Sequence, residues 1–99
     1  MYVKFKNGVE KVCSNPTEQK IFKGGVAAGW ICAVVISDTA STSAEIDDLL
    51  TIDNISQLTF LNDESAELFT INGYSKVTSA VIRHSENNGT IEIQLQKEI

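Results

Sequence analysis

The most regular alternation in the chain lies near its C-terminal end, where Ile91, Ile93 and Leu95 interleave with Thr90, Glu92, Gln94 and Gln96. A period of two predicts a strand with one wet face. The same pattern, punctuated by turn residues, predicts strands over Ile55–Asn62, Glu67–Asn72, Tyr74–His84 and Thr90–Lys97. Between them lie Asp63-Glu64-Ser65, Asn72-Gly73 and Asn87-Asn88-Gly89. At the other end, Tyr2–Lys6 and Val9–Cys13 flank Asn7-Gly8. Asn-Gly supplies the positive φ angles of a two-residue type I′ turn, so a hairpin is expected there with Val3 and Phe5 on one face. Ser14–Lys20 is a polar connection holding the single proline, Pro16, with Thr17–Lys20 read as a helical turn.

Val26–Ser37 is the most apolar stretch, and its tail Ile31-Cys32-Ala33-Val34-Val35-Ile36 does not alternate. That predicts a strand covered on both faces, or one beneath the helix that follows. Gly24, Gly25 and Gly29 mark a bulge or a close backbone approach at its start. After the loop Asp38–Ser41 the period changes. Thr42-Ser43-Ala44-Glu45 has the form of a capping box, and Ile46, Leu49 and Leu50 form a short helical stripe. Glu45, Asp47 and Asp48 sit near the positive end of that helix dipole, which gives part of the acidic cluster a structural reason. The expected fold is therefore α+β and mostly β. It is one domain over residues 1–99, an antiparallel meander or barrel-like sheet of about six or seven strands with one short helix.

Charge alters this picture in one respect. Eight acidic residues and no lysine or arginine lie between Asp38 and Gly73, so the segments before, within and after that stretch carry +3, −8 and 0. A net charge of −5 argues against nucleic acid and against anionic membrane surfaces, both of which are bound through Lys and Arg. The thirteen-residue run Gly24–Ile36 is too short to span a bilayer, which needs about 20 apolar residues. The segment before it reads as a hairpin, which argues against a signal peptide. A cytoplasmic location is expected, or a place in a virion if the chain derives from a phage.

Candidate chemistry is sparse. Cys13 and Cys32 fit no redox or zinc spacing and are expected to be buried free thiols. His84, the single histidine, has no cysteine or second histidine at triad or ligand spacing. Asp47, Asp48, Asp53 and Asn54 lack the calcium-loop pattern, and side chains adjacent on a helix point about 100° apart. Glu64 and Glu67 have no apolar surroundings to raise a pKa. Gly24-Gly25-Val26-Ala27-Ala28-Gly29 lacks the Gly-Lys-Ser/Thr ending of a phosphate loop. Asn54-Ile55-Ser56 and Asn88-Gly89-Thr90 match the glycosylation sequon, which means little without secretion. No enzyme, metal or cofactor is expected. Trp30 and Tyr74 are the candidate interface anchors, Tyr74 the better of the two, since aromatics dominate hot spots.

The succession Leu58-Thr59-Phe60-Leu61-Asn62-Asp63-Glu64, then Ile71-Asn72-Gly73-Tyr74, then Thr90–Lys97 resembles the small β-rich proteins of phage and prophage structural modules. The resemblance covers residues 55–97. It implies a noncatalytic role in virion or tail assembly and assigns no functional residue. The expected function is accordingly a structural or assembly protein acting through self-association, with Lys4, Lys6 and Lys11 of one copy facing Asp47, Asp48, Asp63 and Glu64 of the next. The alternative is a monomeric acidic module that engages a basic protein.

Overall fold

The computed structural model describes residues 1–38, 43–84 and 89–98. The cap expected at Thr42 and the turn expected at Asn87-Asn88 fall outside them, as does the His84 side chain. The elements run β1 (Tyr2–Lys4), β2 (Glu10–Cys13), β3 (Thr17–Lys23), β4 (Val26–Ser37), α1 (Ser43–Leu49), α2 (Ile52–Ile55), β5 (Gln57–Leu61), β6 (Glu67–Asn72), β7 (Lys76–His84) and β8 (Gly89–Glu98). The eight strands among the described residues belong to one antiparallel sheet of order β6-β5-β1-β2-β4-β8-β7, in which β3 also pairs with β4. The fold is thus mostly β with short helices, as the patterning predicts, and the described residues hold one strand and one helix more than expected.

β4 organises the sheet. Its C-terminal end pairs with β2 at Cys13↔Ile36, its N-terminal part pairs with β3 from Lys23↔Val26 to Thr17↔Ala33, and its other edge pairs with β8 from Gly29↔Glu98 to Ser37↔Thr90. Cys32, Val34 and Ile36 point inward and are buried, whereas Val35 on the opposite face is exposed. β4 is therefore covered on one face only, and its lack of alternation reflects half-buried Ile31 and Ala33 on the wetter side. The core gathers Val3, Phe5, Phe60, Ile71 and Tyr74 with Ile91, Ile93 and Leu95, and α1 adds Ile46 and Leu49. Cys13 and Cys32 are free and buried, and burial raises the pKa of both thiols. Opposite Ile36, Cys13 lies four residues from Cys32 along the strand, or about 13 Å, well beyond disulfide reach.

Three local expectations are corrected. Thr17–Lys20 is strand, not helix, because its backbone pairs along Ala33–Trp30. The turn at Asn7-Gly8 is not a two-residue type I′ turn. The Gly8 amide donates to the Phe5 carbonyl and the Phe5 amide to the Val9 carbonyl, and Gly8 carries the positive φ, +93°. That is a three-residue loop with glycine in the left-handed position. Asn7 is held there by Asn54 of α2, whose buried side chain accepts from the Asn7 amide at 2.8 Å and donates to the Leu49 carbonyl at 2.7 Å. The two-residue turn with two positive φ angles occurs instead at Gly24-Gly25 (+59° and +80°), closing the β3–β4 hairpin.

Candidate functional site

Of the seven charged residues expected to meet across an interface, Lys6, Lys11 and Asp63 are in ion pairs within the chain. The Lys6 ammonium lies 3.0 Å from the Asp53 carboxylate, a surface pair of small energetic weight. Lys11 projects from β2 toward the α1 side, 3.0 Å from the buried Asp38 carboxylate. Asp63 takes the amino group of Met1 at 2.6 Å. Glu64 lies beside it in the β5–β6 turn, its amide donating to Asn62 Oδ1 at 2.9 Å. Lys4 is exposed on β1, opposite Glu10 and Thr59. Asp47 and Asp48 are exposed on α1. Lys4 and Lys6 border one depression together with Glu67, whereas Lys11, opposite Val3, lies on the other face, and the acids divide between a helix and a turn.

Tyr74, the preferred anchor, is buried at 1% exposure, and so is no surface contact. Its hydroxyl donates to Glu18 Oε2 at 2.8 Å, and the Lys97 ammonium lies 4.7 Å from its ring centre while donating to the Asn72 carbonyl. These contacts fasten the β6–β7 connection to β3 and β8. Burial, and then the Glu18 hydrogen bond and charge, push the Tyr74 pKa up. Burial, with Glu18 adding and Lys97 opposing, raises the Cys32 thiol to about 11. Trp30, rated the poorer anchor, is only half-buried and has the Lys20 ammonium 5.4 Å from its ring centre.

Two surfaces that the sequence did not single out are better formed. The first is the end of the β3–β4 hairpin. It continues beyond Gly29↔Glu98, the last pairing of β4 with β8, and carries Phe22 and Val26 at 61% and 69% exposure. Opposed residues in an antiparallel pair share a face, so Val26 lies with Lys23, while Phe22 follows Lys20 on the other side of the ribbon. The second is a cleft of about 230 Å³ between α1 and the β1–β2 turn, floored by Val9, Ile46 and Leu49 and bordered by Lys11, Glu45 and Asp48. The visible signal for the first was Gly24-Gly25 between Lys23 and Val26. The cleft joins positions nearly forty residues apart and had no local signal.

Among the described residues no three His, Cys, Asp or Glu side chains converge as metal ligands, and no helix is long and apolar enough to cross a membrane. No protein-family model, curated protein or solved structure matches this chain.

Proposed function

We propose that this chain is a noncatalytic structural protein that acts by self-association, of the kind found in the phage and prophage structural modules that its C-terminal half resembles. The observation that carries the reading is the apolar hairpin tip, with Phe22 and Val26 both more than half exposed. Burying such side chains is worth about 1.5–3 kcal/mol each, so covering the tip is a standing driving force for association. Val35 and Val81 on the outer sheet face are by contrast single side chains flanking Glu92, which surfaces normally tolerate.

Strand addition at the sheet's terminal strands is the weaker route. β6 and β7 each break register with their neighbour, between Phe60 and Leu61 of the β5–β6 ladder and between Val77 and Ser79 of the β7–β8 ladder. Bulges of this kind blunt edge pairing. The second reading, a monomeric acidic module for a basic protein, draws on the exposed Asp47 and Asp48 of α1. Light-scattering mass after size exclusion, across protein concentration at low and high salt, separates the two. Self-association predicts a mass that rises with concentration and falls with salt. A monomer under every condition contradicts it and favours the acidic module.

A further inference from the structure

Building on the self-association reading, we infer that the β3–β4 tip of one copy seats in the cleft between α1 and the β1–β2 turn of the next. The two surfaces match in size. The cleft holds about 230 Å³ over an apolar floor of Val9, Ile46 and Leu49, and an apolar cavity of about 150 Å³ already admits benzene. The ring of Phe22 fits within it.

They also match in charge. No acidic residue occurs between Glu18 and Asp38, so the tip carries Lys20 and Lys23 without a local counter-charge in sequence. Glu45 and Asp48 border the cleft, and the one ammonium in its lining, that of Lys11, lies 3.0 Å from the buried Asp38 carboxylate. Each face of the tip pairs one lysine with one apolar side chain, Lys20 with Phe22 and Lys23 with Val26, which suits an apolar cleft with an acidic border.

Placement makes the contact intermolecular. The tip precedes the first residue of β4 and α1 follows its last, so twelve residues of strand, about 40 Å, separate them. The longest dimension of the molecule is 45 Å. A copy cannot fill its own cleft, and tip and cleft are different surfaces. The contact is therefore heterologous, and its repetition builds a ring or a filament.

Three variants test this. Phe22→Ser removes the knob and leaves the cleft. Val9→Lys with Asp48→Lys repels the basic tip and leaves the knob. Val9 is an exposed turn position, and Asp48, expected near the start of α1, lies in its last turn, where a lysine suits the helix dipole. Each is expected to raise the concentration for half-association at least tenfold with an unchanged circular dichroism spectrum. An equimolar mixture is expected to form a dimer that grows no further, since one intact tip then meets one intact cleft. Lys20→Glu, on the face of Phe22 and with Phe22 in place, is expected to weaken association and reduce its salt dependence. Phe22→Ser that assembles like the parent, or a mixture that stays monomeric, overturns the tip-in-cleft contact and leaves self-association standing. A parent chain that is monomeric at every concentration overturns both.

Discussion

Tyr74 shows how one side chain closes this sheet. It follows Gly73, whose φ of +86° lets the chain leave β6, and it enters the core while its hydroxyl reaches Glu18 on a distant strand. Replacing Tyr74 with Phe keeps the ring and removes that hydrogen bond, and is expected to cost about 1 kcal/mol by urea denaturation at pH 7. The same residue sets an alkaline limit. Burial and Glu18 raise the pKa of Tyr74 above its ordinary 10, and burial raises Cys32 from 9 to about 11. A group whose folded pKa lies above its unfolded value leaves stability intact below the unfolded pKa and erodes it above. The urea midpoint is therefore expected to hold between pH 7 and 9, fall as Cys32 titrates in the unfolded chain, and fall further above 10. In Tyr74→Phe the decline is shallower. A midpoint that rises through this range would contradict the account. The sequence offered Tyr74 as an aromatic beside a turn; its partner lies 56 positions away, where no local pattern reaches.

At the level of elements, alternation identified β8 well, and the i, i+3, i+4 stripe placed Ile46 and Leu49 in the core. Those periods record which face is buried, and burial is what the fold decides. Turn chemistry was less legible because it depends on neighbours. Asn7-Gly8 carries the best type I′ signature, yet Asn54 draws the Asn7 amide into a wider loop, and the tight turn falls to Gly24-Gly25. Thr17–Lys20 likewise took its conformation from pairing with β4. Gly29, flagged as a point of close approach, is one. A Cβ there would collide with the Lys97 carbonyl of β8, backbone that side-chain rotation cannot clear. Gly29→Ala is expected to destabilise the chain by about 1–3 kcal/mol, as overpacking does. An unchanged melting temperature would show that β4 and β8 are less tightly apposed than described.

For the molecule as a whole, charge segregation along the chain did not become segregation into the faces first expected. Lys6 and Lys11 meet Asp53 and Asp38 of their own chain, and Asp63 meets the amino group of Met1. What remains is polarity along the long axis, a basic apolar knob at one end of β4 and an acid-bordered apolar cleft beyond the other. The excess of lysine early in the chain and of acid in the middle was legible. The surfaces on which they matter were not, because the cleft exists only once α1 packs beside the β1–β2 turn. Head-to-tail assembly survives as the proposal with different residues carrying it. The most direct measurement places a photo-crosslinking phenylalanine analogue at position 22 and maps the products by mass spectrometry. The account predicts crosslinks between copies, from position 22 to residues 7–11 or 45–49. Crosslinks between copies that fall elsewhere, or none at concentrations where the chain is associated, would contradict it.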